Sequence, residues 1–166
     1  MNEVLIITGA CGVGKTATAR VWAKAKQGVA IETDYFTEWI YDDSLERFTR
    51  EEEKLVANLS LVTAKEYLAQ KMPVAIEGVW SPYGLSLLHS GLKKKAKNAK
   101  LKFVWLYCEI SENHRRDELR VSENQMKQRV DIVSQQLQSY HWENYVHHID
   151  TTYLTLPETL AAIESK

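Results

Sequence analysis

Thr8-Gly9-Ala10-Cys11-Gly12-Val13-Gly14-Lys15-Thr16 is the stretch that decides how this chain is read. Gly9, Gly14, Lys15 and Thr16 fall on the phosphate-loop pattern G-x-x-x-x-G-K-[ST]. Gly9, Gly12 and Gly14 let the backbone turn tightly and bring its N–H groups close to phosphate oxygens. Lys15 sets an ammonium against the β- and γ-phosphates, and the Thr16 hydroxyl can ligate Mg²⁺. The helix that follows adds the positive end of its dipole. The expected contacts with a nucleoside triphosphate run from Gly9 through Ala17.

The surroundings carry the motif beyond a bare pattern match. Glu3 to Thr8 is an apolar run (Val4, Leu5, Ile6, Ile7) suited to a central parallel strand buried on both faces. Past the loop, Ala19, Trp22 and Ala23 recur at helical spacing, and Gly28 marks a stop. An ordinary Gly-rich turn would not require strand, glycine loop and helix in this order.

Working outward, apolar runs and helical patterns alternate. Ala30 and Ile31 form a short strand ending in Glu32-Thr33-Asp34. Thr49-Arg50-Glu51-Glu52 reads as a capping box opening a helix with Leu55, Leu59 and Val62 on one face. Pro73 to Ile76 is a third strand, closing on Glu77-Gly78. Ser81-Pro82 starts a helix carrying Leu85, Leu88 and Leu92. Leu101 to Tyr107 is a fourth strand. Ser111 caps a helix bearing Arg115, Arg116 and Arg120, and Ser122 to Gln125 starts another with Met126, Val130, Val133 and Leu137 as its stripe. Tyr145 to Asp150 is a fifth strand, and Thr155-Leu156-Pro157-Glu158 caps the last helix. This alternation predicts an α/β fold, a five-stranded parallel sheet with helices on both faces, in one domain over 1–166.

Ligands of such sheets bind outside the carboxyl ends of the strands. Glu32, Asp34 and Glu77 stand there. Phosphoryl transfer needs a group that orients or deprotonates the attacking hydroxyl, and carboxylates that hold Mg²⁺ or its waters. Asp34 is read as facing the acceptor, and Glu77 and Glu32 as metal-side acids with Thr16. The alternative is that these carboxylates cap helices or pair with lysines. Arg116 and Arg120, four apart, are read as sharing one helical face, where guanidiniums would stabilise the charge spread over a transferring phosphoryl group. A solvated face paired with Glu112, Asp117 and Glu118 is the competing reading.

With these residues in place, the chain resembles the small P-loop metabolite kinases, the group holding gluconate, shikimate and nucleoside monophosphate kinases and chloramphenicol phosphotransferase. Gly9 to Thr16, Glu32-Thr33-Asp34, the Arg116/Arg120 segment and Ile149-Asp150-Thr151-Thr152 carry the resemblance in order. It implies the three-layer P-loop NTPase fold. It also implies a loop at Asp150, Thr151 and Thr152 packing against adenine, and a mobile lid over 111–130 with one arginine on the base and one on the phosphates. An acceptor-binding region would span 35–71. Gluconate kinase is similar in layout, its lid-to-helix stretch finding an echo in Arg116 to Gln136, including Ser134-Gln135. The chain departs from it at Glu77-Gly78-Val79-Trp80, which lacks a small Ser-containing turn, and after Arg120, where a His-Phe pair is missing. Only Gly78 stands where shikimate kinase would want a glycine cluster. Every departure falls on the acceptor side.

The implied activity is ATP-dependent transfer of a phosphoryl group to a hydroxyl of a small molecule, with ATP and Mg²⁺. The alternatives are an ATP-binding switch with weak hydrolysis or a nucleotide or nucleotide-sugar kinase. No Asn-Lys-x-Asp guanine signature occurs. Tyr35, Phe36, Trp39 and Tyr41, with Trp80 and Tyr83 opposite, are read as the acceptor entrance or as core. Arg47 and Arg50 could hold an anionic acceptor or be solvated.

Composition excludes other classes. A net charge of −1 over 166 residues gives no field that would recruit nucleic acid or an anionic membrane. Lys93-Lys94-Lys95-Ala96-Lys97 reads as a helix end matched to its dipole. Cys11 and Cys108 show no zinc spacing, and Cys11, near a helix N-terminus, could be oxidisable. His147 and His148 in a strand point to opposite faces. No stretch spans a bilayer and no leader is read, so the expected setting is cytoplasmic, as a monomer or homodimer.

Overall fold

A computed structural model describes residues 2–42, 44, 49–96, 98–122 and 125–166. Strand β1 (Glu3–Gly9) lies at the centre of a five-stranded sheet with β2 (Val29–Glu32), β3 (Val74–Gly78), β4 (Lys100–Tyr107) and β5 (Val146–Asp150). The order is β2-β3-β1-β4-β5, and every pairing is parallel. Val4 through Ile7 are at most 1% exposed, as expected of a strand covered on both faces. The register aligns the carboxyl ends: Glu32 opposite Glu77, Gly9 opposite Leu106, Tyr107 opposite Asp150. The strand-end residues Glu32, Glu77 and Asp150 and the opening of the glycine loop therefore gather along one edge.

Among the described residues, seven helices accompany the sheet: α1 (Lys15–Lys26), α2 (Asp34–Glu38), α3 (Arg50–Ala69), α4 (Pro82–Lys95), α5 (Ile110–Glu118), α6 (Gln128–Gln138) and α7 (Leu156–Glu164). Helix α1 buries Ala19, Trp22 and Ala23, as its spacing predicts, and packs beside α7. Ser81 and Thr155 cap α4 and α7 with their side chains, and Thr155 with Glu158 completes a capping box. Thr49 Oγ1 accepts the Glu52 N–H at the start of α3.

Four expectations are corrected. The buried face of α3 is Val56, Ala57, Ser60, Leu61, Ala64 and Leu68, whereas Leu55, Leu59 and Val62 stay 38%, 37% and 55% exposed. That face mixes Val56, Leu61 and Leu68 with Ala57, Ser60 and Ala64, and it packs closely on α4, where Gly91 leaves the room that Leu61 fills. Ser60 is satisfied inside its own helix, donating to the Val56 carbonyl at 2.8 Å. Helix α5 is entered from Glu109, so Ser111 sits inside it rather than capping it. Helix α6 starts at Gln128 instead of near Ser122 (Glu123 and Asn124 lie outside the described residues). Its approach is held by Asp117 of α5, whose carboxylate accepts the Met126 and Lys127 N–H groups at 2.9 to 3.0 Å. A brace from another helix, on the residues just ahead of α6, leaves no local signature. Finally, α5 ends at Glu118, so Arg120 lies beyond it and does not share a helical face with Arg116.

Candidate functional site

The phosphate loop leaves β1 at Gly9 and enters α1 through Gly14, whose φ of 95° no side chain adopts easily. Lys15 Nζ donates to the Ala10 carbonyl at 3.0 Å, folded back over its own loop. Thr16 Oγ1 donates to Glu77 Oε1 at 2.9 Å. Glu77 is 4% exposed. Burial pushes its carboxyl above the usual range, although Lys15 and the Thr16 hydroxyl pull the other way; Asp34 and Glu32 add to the upward push. Lys15, Thr16, Glu77, Asp34 and Glu32 thus form one electrostatic group at the ends of β1, β2 and β3.

Within that group the carboxylates divide. Glu32 forms a two-pronged ion pair with Arg20 of α1, at 2.6 and 2.7 Å, so Glu77 is the acid that meets Thr16. Asp34 opens α2 and is exposed. Its position follows from Thr33, whose N–H donates to the Glu77 carbonyl at 3.1 Å and ties the end of β2 to β3.

A second set of contacts closes the other side of the loop. Arg116 of α5 donates to the Thr151 carbonyl at 2.6 Å and the Thr151 hydroxyl at 3.1 Å, while Glu112 holds its Nε at 2.6 Å. Hydrogen bonds from Arg115 and Arg116 bring the Glu112 carboxyl down to about 2. The Thr151 hydroxyl also lies 3.4 Å from the Val13 carbonyl of the phosphate loop. Asp150 Oδ1 accepts from the Thr152 N–H at 2.9 Å, and Thr152 Oγ1 accepts from the Glu109 N–H at 2.9 Å. Three segments far apart in sequence therefore meet through Arg116 and Thr151. Arg120 instead approaches Asp117 at 3.8 Å.

The aromatic entrance is only partly as read. Tyr35, Trp39 and Tyr41 are 47%, 66% and 94% exposed, but Trp80 is 1% exposed and belongs to the core. Buried Thr8 fixes it there, its hydroxyl accepting from the Trp80 N–H and donating to the Trp80 carbonyl, both at 2.9 Å. The Arg50 guanidinium lies 5.1 Å from the centre of the Tyr83 ring; Arg47 lies outside the described residues. Burial raises the Cys108 thiol to about 11, leaving it inert near neutral pH.

Sequence reading missed Glu53 and Asn113. Glu53 accepts from both the N–H and the hydroxyl of Ser81, anchoring the start of α4. Asn113, 1% exposed, packs against Gly12 and donates to Ser134 Oγ at 3.3 Å. Asn113 and Asp117 stand four apart on the buried face of α5, and that polar i, i+4 pair was a usable signal.

Among solved structures, a sugar kinase from Janibacter sp. HTCC2649 superposes with a TM-score of 0.76, over 99% of this chain and 94% of that one, at 12% identity. The fold is that of the P-loop small-molecule kinases. The APS kinase of Mycobacterium tuberculosis, solved with AMPPNP and APS, matches at 0.65 over 99% of this chain and 96% of its own, at 13% identity. A gluconokinase from Sinorhizobium meliloti 1021 matches at 0.62 over 98% and 90%, at 20% identity. No protein-family model matches the chain, and no curated protein matches it in sequence. At these identities the P-loop kinase fold is what the likeness carries, extending over nearly the whole chain. No helix among the described residues is long and apolar enough to cross a membrane.

Proposed function

We propose that this chain is an ATP-dependent phosphotransferase acting on a hydroxyl of a small molecule. The observation that carries the reading is the hydrogen bond from Thr16 to the buried Glu77, beside Lys15. A carboxylate held out of water next to a phosphate-loop hydroxyl costs free energy. A hard divalent cation offsets that cost: Mg²⁺ takes oxygen ligands, one or two carboxylates together with substrate phosphates. Thr16 and Glu77 fit that donor set. Bound there, Mg²⁺ would neutralise charge on the β- and γ-phosphates.

The chain's own groups divide the remaining work. The loop amides from Gly9 to Ala17 cradle the phosphates at the N-terminus of α1. Lys15 exchanges the Ala10 carbonyl for phosphate oxygens. Arg116, fixed to Thr151, stands on the base side with Asp150 and Thr152, while Arg120, past the end of α5, is the arginine for the phosphates. Segment 111–130 closes over the nucleotide and excludes water, which would otherwise hydrolyse it. The acceptor enters over 35–71, and Asp34 orients its hydroxyl or takes its proton.

Two substitutions test this division. Lys15→Ala is expected to abolish turnover. Asp34→Asn is expected to keep nucleotide affinity and lower transfer by about 10²–10⁴-fold, the range of a lost acid–base group. Calorimetry with AMPPNP beside acceptor-dependent ADP release separates the two effects. Normal transfer by Asp34→Asn would remove it from the reaction.

A further inference from the structure

The end of the sheet where β4 and β5 begin carries a second recess, remote from the phosphate loop. A cavity of about 300 Å³ opens between the end of α4, the turn into β4 and the start of β5. Three of its lining residues are aromatic. His89 stacks on Tyr145 with centroids 4.1 Å apart and planes inclined by 12°, and Phe103 meets the two rings edge-on at 5.4 and 5.1 Å. Ala96 and Ala99, where the chain turns from α4 into β4, are too small to fill the space. The recess is open to solvent, and its volume matches the small end of ligand pockets, room for one or two rings.

The charge around the recess is mixed: Lys93 lines it, and Glu143 acts on both His89 and Tyr145. Residues 93–102 include six lysines and no acid. Lys93 lines the cavity, while Lys102 turns away to donate to the Ile163 carbonyl. Burial, helped by Lys93 and opposed by Glu143, lowers the proton affinity of His89 and keeps its ring neutral at neutral pH. Cationic recognition therefore falls to lysine, beside a neutral aromatic wall. Phe103 pairs with Ile6 and Val146, well below the carboxyl edge where Gly9 opens the phosphate loop, so an occupant would touch neither Lys15 nor Glu77.

We infer that this recess binds a small planar anion, an aromatic ring bearing a carboxylate or phosphate. The rings of His89, Phe103 and Tyr145 would contact its ring, and Lys93 would pair with its charge. The site is independent of the phosphotransferase reading.

The test titrates 1-naphthoate and 1-naphthyl phosphate into the full chain with saturating AMPPNP and Mg²⁺, followed by calorimetry and by NMR shifts. Saturable binding that moves His89, Phe103 and Tyr145 signals is expected, and the tighter of the two probes identifies the anion. Lys93→Ala should weaken it about tenfold, to the level of uncharged 1-naphthalenemethanol on the unsubstituted chain. Ala99→Phe should fill the recess and abolish binding. Lys93 is exposed, so its substitution remains informative even if Ala99→Phe fails to fold. No saturable binding, shifts confined to Gly9–Thr16, or equal affinities for the unsubstituted chain and Lys93→Ala would overturn the inference.

Discussion

Gly12 holds φ at 88°, and a Cβ there would collide with the Asn113 side chain. The residue serves two demands: a left-handed turn that presents loop amides, and close approach by α5. Gly12→Ala is therefore expected to cost about 1–2 kcal/mol from backbone conformation alone, with further loss from displacing Asn113. Urea denaturation and AMPPNP titration should both register it, and unchanged values in both would contradict this account of the loop. At the same scale, the Thr16–Glu77 contact explains why an acid at the end of an apolar strand is tolerated there. Glu77 was legible in the sequence because it closes the run Val74-Ala75-Ile76. The pairing of Glu32 with Arg20 was not, since it joins a strand end to the face of a helix twelve residues earlier, and nothing in local spacing marks it.

Among the elements, α5 and α6 behave as a pair held by polar groups. Asp117 accepts two backbone N–H groups ahead of α6, Asn113 reaches Ser134, and His114 Nε2 lies 2.9 Å from Asp131. The backbone hydrogen bonds at Met126 and Lys127, with the charges of Arg120 and His114, overcome burial and hold the Asp117 carboxyl below its reference value of 3.8. A depressed native pKa means the stabilisation is present above the unfolded value and lost as pH falls through the native one. Asp117→Asn should cost about 1–3 kcal/mol near neutrality, and the difference from the unsubstituted chain should shrink below about pH 4. A difference independent of pH from 7 to 3, measured by chemical denaturation, would contradict the charged role. The seam also shows where sequence reading stops. Strands and end-capped helices such as α4 and α7 announce themselves through local residues. The start of α6 and the buried face of α3 depend on a partner helix, and leucine spacing pointed to the wrong side of α3.

Over the whole molecule, the parallel sheet collects its strand-end acids on one edge and leaves the opposite end for the aromatic recess beside Lys93. The alternation of apolar runs with helical patterns was enough to expect that sheet, because strands buried on both faces read as continuous hydrophobes. The geometry of the candidate site was legible in proportion to how local its parts are: the strand–loop–helix turn from its glycines, the strand-end acids by position, the Arg116–Thr151 bridge only as two separate segments. The proposed acceptor side was the least legible, since Tyr35, Trp39 and Tyr41 look the same in sequence as Trp80, which proves to be core. The most direct measurement is mass spectrometry of pooled hydroxyl metabolites (sugars, sugar acids, nucleosides, aminoglycosides) incubated with MgATP and either this protein or Lys15→Ala. The account predicts a new phosphorylated species that requires Lys15. Tight ATP binding with no acceptor-dependent product from any of these classes would contradict it and favour an ATP-binding switch.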